Sequence, residues 1–189
     1  GCPFKCIYCT YPLLEGSKVR MRSVKSVVDE IENLKNEMDI KHFFFVDSVF
    51  NYPIDYCGEI CSEIIKRDLN IKWSAYFKPK SLNEELVKLF KESGCTSGEF
   101  GVESCSNKIL SVLKKDFKTT HIEEARNLFE KYNMKFAVSL MFGSPNETKE
   151  TIKETFDFLE KINPSAIIGM VGIEFILILN LVKLHFKKE

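Results

Sequence analysis

The 189-residue sequence has little that would draw it to a charged surface or divide it into pieces. Its 27 lysines and arginines are matched by 27 aspartates and glutamates, so bulk electrostatics offers no pull toward nucleic acid or an anionic membrane. It has no Pro-, Gly- or Ser-rich linker and no low-complexity tract. No charged n-region leading into an apolar h-region marks a secretory signal. The most apolar stretch, residues 174–181, is too short and too interrupted for a membrane span. Seven cysteines, an odd number without disulfide-like spacing, point to a reducing cytoplasm. With 44% hydrophobic residues, the chain suits one globular domain able to bury a substantial core.

What is present, and concentrated, is thiol. Gly1-Cys2-Pro3-Phe4-Lys5-Cys6-Ile7-Tyr8-Cys9 sets three cysteines at C-x3-C-x2-C with an aromatic before the last. Thiolates so grouped select zinc, cuprous copper or an iron-sulfur cluster over hard cations. A closed structural zinc site takes four ligands, and the next histidine in the sequence is His42. Three thiolates on a four-iron cluster leave one iron open to bind and activate a small molecule. Two other readings stand beside this one: Cys6-Ile7-Tyr8-Cys9 as a dithiol redox pair, and the three cysteines as part of a zinc site completed from elsewhere, in a non-catalytic domain or inactive fragment.

Downstream, strand and helix patterns alternate. Ser23 caps a helix carrying Val24, Val27, Val28, Ile31, Leu34 and Met38 on one face. The run His42 to Asp47 reads as a strand covered on both faces. Asn51 is the expected N-cap of a helix to about Arg67, with Ile60, Cys61, Ile64 and Ile65 inward. Cys57 and Cys61 read as buried small hydrophobes. Ile71–Phe77 is a strand, followed by a capping box at Ser81 and Glu84 and a helix stopping at Gly94. Phe100–Glu103 is the next strand, with helical residues at Ile109–Leu113 and a capping box at Thr120 and Glu123. Phe136–Phe142, a helix carrying Ile152, Phe156, Leu159 and Ile162, and a strand from Ala166 to Ile173 complete the pattern. Counting a first strand expected before Gly1, six βα units predict an α/β fold: an open partial (β/α)6 TIM-like barrel over residues 1–173. The cysteine loop, Asp47-Ser48, Tyr76, Glu103-Ser104 and Gly143 fall at strand C-termini, the catalytic face of such barrels.

The cysteine motif resembles the signature of the radical S-adenosylmethionine (SAM) enzymes. The resemblance implies a [4Fe-4S] cluster on Cys2, Cys6 and Cys9, whose open iron chelates SAM. It further implies reductive cleavage to a 5'-deoxyadenosyl radical, with electrons from a donor such as flavodoxin or ferredoxin. It places Tyr8 beside the adenine. Where relatives have two glycines and a glutamate for the SAM amino group, this sequence has Val46-Asp47-Ser48, so Asp47 takes that role. Phe100-Gly101-Val102-Glu103-Ser104 is similar to the family's fourth-strand motif, with Glu103 accepting from the ribose hydroxyls or the amino group. Lys115 corresponds to the basic residue that pairs with the SAM carboxylate. Ser139 to Gly143 occupies the adenine motif, and Gly143-Ser144-Pro145-Asn146-Glu147-Thr148 departs from the family's turn by Asn146 in place of glycine, a residue that tolerates left-handed backbone.

Arg20-Met21-Arg22-Ser23, Phe45 to Asn51 and Lys72 to Tyr76 look closest to enzymes with an N-terminal cobalamin-binding domain, which implies radical methyl transfer with cobalamin held outside this chain. The substrate implied is a small or lipid-like molecule. After Met170-Val171-Gly172-Ile173 the likeness stops. Codons for the family's continuation, read one nucleotide later, encode Glu-Phe-Ile-Leu-Ile-Leu-Asn, which is residues 174–180. The expectation is therefore a frame-shifted tail over 174–189, which sequencing the gene would test by the presence of a family-like continuation in the other frame.

Overall fold

The structure, a computed structural model, describes residues 1–172. Ile173 and the tail expected to be frame-shifted lie outside the described residues. After the cysteine loop comes one helical turn, α1 (Tyr11–Leu14). Then α2 (Val24–Met38) leads to β1 (His42–Phe45), α3 (Ile54–Lys66) to β2 (Lys72–Phe77), and α4 (Glu84–Glu92) to β3 (Cys95–Glu103). Two helices, α5 (Asn107–Val112) and α6 (Thr119–Lys131), lead to β4 (Lys135–Phe142), and α7 (Lys149–Ile162) to β5 (Ala166–Val171). The five strands form one parallel sheet in the order β1-β2-β3-β4-β5. Among the described residues the sheet does not close, as an open α/β partial barrel requires. No helix among them is long and apolar enough to cross a membrane.

Local chemistry explains most boundaries. Ser23 Oγ accepts from Ser26 N at 3.2 Å, capping α2 as expected. Three starts differ. The α3 cap is Pro53, because the Asn51 amide is engaged across the fold with Lys78. The α4 cap is Asn83, which accepts from Leu86 N at 2.8 Å and turns Leu86, Val87 and Phe90 into the core, so Ser81 stays outside. The cap of α6 is Lys118, whose N–H donates to His121 Nδ1 at 3.0 Å.

The core lies between the helices and one face of the sheet. Trp73, Phe77, Phe90, Phe100 and Phe129 are almost wholly buried there. Trp73 meets Phe90 edge to face at 5.7 Å and its Nε1 donates to Ser93 O at 3.0 Å, so the indole carries both packing and a satisfied polar group. Cys57 and Cys61 are fully buried, as expected of small hydrophobes. Five expectations are corrected. Met38, Ile65 and Phe156 are exposed, the last stacking on Phe142 at 5.9 Å, and α7 buries Thr151 and Thr155 instead of Ile152 and Phe156. Nor is β1 covered on both faces among the described residues: Phe43 and Phe45 pack on the core, and Phe44 on the opposite face is exposed.

Gly98 makes room for this aromatic layer. A Cβ there would lie 2.4 Å from the Phe77 ring and 2.9 Å from that of Phe129. Gly98→Ala should therefore lower unfolding stability by about 1–3 kcal/mol in urea titration, the usual cost of overpacking.

Candidate active site

Strand alternation decides what the inner face of the sheet carries. In β3, Gly98, Phe100 and Val102 are buried toward the helices, which turns Glu99, Gly101 and Glu103 the other way. Tyr76 from β2 and Ser139 and Met141 from β4 join them, and the cysteine loop lies across the strand C-termini. Together they line a cavity of about 750 Å³, within the usual range for a small-molecule site.

The loop is held by non-ligand atoms. Cys2 N donates to Gly16 O at 3.0 Å and Ile7 N to Leu113 O at 3.2 Å, while the buried Ile7 side chain packs with Ile109, Leu113 and Met141. Cys2, Cys6 and Cys9 are free and all face the cavity. Burial pushes the Cys6 and Cys9 thiols up, and the Lys115 ammonium pulls both down. The charge of Cys2 raises both further, and that of Cys6 raises Cys9. Three soft donors on one wall of a roomy cavity fit an iron-sulfur cluster. Among the described residues no three His, Cys, Asp or Glu side chains gather as ligands of a single ion would. A [4Fe-4S] cluster seats each thiolate on a different iron.

Opposite the cysteines stands a buried triangle. Tyr8 Oη donates to Glu103 Oε1 at 2.8 Å, and Lys115 Nζ reaches the same oxygen at 3.2 Å and Gly101 O at 2.9 Å. Burial, then the Glu103 carboxylate, raise the Tyr8 phenol, so it stays a neutral donor. The Glu103 and Lys115 side chains are 10% and 8% exposed. A charge this buried needs its partner, which explains the pairing. Glu103 reaches its place through a register shift between Gly101 and Glu103 in the β3–β4 pairing and a left-handed φ of 69°. A bulge of this kind re-aims a side chain at a strand end, and a non-glycine residue so placed is a mark of functional sites.

The other expected residues divide. Ser139 lines the cavity and donates to Glu99 Oε1. Asp47 lies outside the lining: continuing the β1 alternation puts it on the side of Phe43 and Phe45, in a groove with Arg22 and Tyr56, while Ser48 faces the cavity. Gly143 shapes the turn after β4 at φ 97°, its N–H donating to Glu147 Oε2 at 2.6 Å, and does not line the cavity. Asn146 takes a left-handed φ of 63°, as expected. Ser104 is buried under the site, where Thr155 Oγ1 bonds both its hydroxyl and Cys105 N. Thr155→Val should cost about 1–3 kcal/mol in thermal unfolding, because Cys105 N–H is left buried and unpaired.

Sequence reasoning missed Glu99, Lys78 and Asn51. Glu99 was available from alternation alone, two residues before Gly101 on the face of Glu103. Lys78 and Asn51 had no local signal.

The family model of the Radical SAM superfamily matches residues 1–159. An uncharacterized methyltransferase of Pyrococcus horikoshii is 32% identical over 163 residues, 86% of this chain and 36% of that protein. The anaerobic magnesium-protoporphyrin IX monomethyl ester cyclase of Rubrivivax gelatinosus is 30% identical over 166 residues, 87% of this chain and 30% of that protein. This chain thus spans about a third of the length of these curated relatives. In fold it is like TsrM of Kitasatospora setae, a radical S-adenosylmethionine methyltransferase solved with cobalamin and a [4Fe-4S] cluster, at TM-score 0.87 and 24% identity over 93% of this chain and 33% of that one. With a family match over residues 1–159 that takes in the three-cysteine loop, all but one strand of the sheet and the Glu103 bulge, this chain belongs to the Radical SAM superfamily.

Proposed function

We propose that residues 1–173 are the catalytic core of a radical SAM enzyme, in which Cys2, Cys6 and Cys9 ligate a [4Fe-4S] cluster and SAM lies in the adjoining cavity. The observation that carries this reading is the meeting of the three cysteines with Tyr8, Glu103, Lys115 and Ser139 in one cavity at the strand C-termini. When bound, the cluster would supply the electron that cleaves SAM to methionine and a 5'-deoxyadenosyl radical; in the branch with cobalamin, SAM would also be the source of the methyl group transferred to an unactivated carbon.

The chain's own residues bind and orient. Glu103 accepts from the ribose hydroxyls or the ammonium of SAM, while Tyr8 and Lys115 hold its carboxylate in place. Lys115 is also the cation near the SAM carboxylate. Tyr8 supplies a flat face to the adenine and Ser139 a small residue beneath it. Gly143 contributes from beyond the lining by shaping the adenine turn, whereas Asp47, on the other side of the sheet in the groove with Arg22 and Tyr56, is left without a role toward the SAM amino group.

Relatives named as methyltransferases, and TsrM with its bound cobalamin, support the methyl-transfer branch. We assign cobalamin to a domain other than this chain. Tyr76, Phe117, Met141 and Met170 give the cavity a largely apolar wall, which suits a small or lipid-like substrate. The electron donor is a flavodoxin or ferredoxin, and seven free thiols suit the reducing cytoplasm.

Glu103→Gln tests the SAM assignment, because it removes the charge and keeps the shape. Calorimetry on iron-loaded chain should show SAM binding weakened by about 1–3 kcal/mol, the scale of a lost charge-assisted hydrogen bond. Unchanged affinity would remove Glu103 from the site.

A further inference from the structure

Phe4 stands midway between Cys2 and Cys6, and its ring is held from two sides. The Tyr52 ring meets it edge-on at 5.2 Å, and Lys78 Nζ lies 3.8 Å from its centroid. An ammonium over an aromatic face at that distance is a cation–π contact, stronger when the cation is shielded from water, and the Lys78 side chain is only 12% exposed. Its far end is fixed as well, Nζ reaching Asp116 Oδ2 at 2.5 Å. The main chain of Lys78 is pinned in turn by Asn51, itself 3% exposed. Asn51 Nδ2 donates to Lys78 O, and Lys78 N donates to Asn51 Oδ1, both at 2.9 Å. This two-point amide-to-backbone clasp leaves Lys78 little freedom. Three segments distant in sequence, the loop after β1, the end of β2 and the loop after α5, thus converge on one ring in the cysteine loop.

Resting on the reading of that loop as the cluster's seat, we infer that Lys78 is a positioning residue for it. Held by Asn51 and Asp116, Lys78 stacks on Phe4 and fixes the Cys2–Cys6 span, setting how firmly the three cysteines retain iron. Lys78 lines the same cavity as the three cysteines, so its ammonium would favor the added electron of a cluster held there, while Asp116 tempers that charge.

Reconstituted chain challenged with a chelator tests this. Lys78→Met should release iron at least about tenfold faster, the usual consequence of removing a group that orients a ligand, and should lower the midpoint potential of the cluster. Phe4→Leu should release iron as fast, and the double variant no faster than either single one, because the two side chains act through one contact. Lys78→Arg should restore retention, since guanidinium stacks on an aromatic ring as well as ammonium does. In metal-free chain, Lys78→Met should speed hydrogen exchange at the amides of residues 4–8 and leave the melting temperature unchanged. Iron release and potential equal to those of the parent would overturn the inference while leaving the cluster site standing. So would multiplicative effects of the two substitutions, or a falling melting temperature that makes the role one of general stability. If the parent chain takes up no iron, the cluster reading and this inference fall together.

Discussion

Replacing any one of Cys2, Cys6 and Cys9 by alanine abolishes iron retention after anaerobic reconstitution, while the parent chain holds about four irons with the brown charge-transfer absorption of a cluster. The expected effect is all or none. With three protein ligands for four irons, loss of one leaves a second iron without protein support, and no other cysteine is placed to substitute. Cys57, Cys61, Cys95 and Cys105 are buried in the helix-facing core, where burial pushes their thiols up, those of Cys57, Cys61 and Cys105 to about 12, far from the thiolate a metal needs. The contrasting expectation sharpens the test: Cys57→Ala or Cys105→Ala should leave the iron content unchanged. Stoichiometric zinc with no iron uptake by the parent chain would instead support a structural zinc domain.

Trp73→Ala lowers unfolding stability by about 3–5 kcal/mol, the scale for a large aromatic truncated in a core. Trp73 is 1% exposed and sits among Phe45, Phe50, Phe77 and Phe90, so no single neighbor can collapse into the space it leaves. The indole N–H bond to Ser93 O is lost with it, leaving that carbonyl at the buried end of α4 with one partner fewer. Against a margin of about 5–15 kcal/mol that loss is a large fraction of the domain's stability. Chemical denaturation should show the midpoint falling with little change in slope. Trp73→Phe, which keeps a ring, should cost clearly less, and equal losses for the two variants would contradict the packing argument.

Much of this was legible in the sequence because it is written in local spacing. Cysteines four and three residues apart must share a loop, and apolar periods of two and near three and a half alternate clearly enough to give a parallel α/β sheet. The turn at Asn146 and the buried state of Cys57 and Cys61 followed from single-residue chemistry. What escaped depends on contacts between distant residues or on the position of a strand within the sheet. The aromatic run at β1 looks the same whether one face of the strand is covered or both, and among the described residues only the Phe43 and Phe45 side packs on the core. Asn51 is as good a helix cap as any residue in that loop, but bonding to Lys78, 27 residues on, outcompeted it. The Glu103 motif was readable, yet the bulge and the shared bond with Tyr8 and Lys115 were not, since each needs partners from other elements. Asp47 shows the limit most directly, because its side of the sheet turns on the parity of one residue past a strand end.

Anaerobic incubation of the reconstituted chain with SAM and dithionite tests the central claim in one step, since product requires the cluster, bound SAM and electron transfer between them. 5'-Deoxyadenosine should form with the parent chain and should be lost in the Cys6→Ala variant. SAM recovered intact from chain that holds its full complement of iron would contradict it.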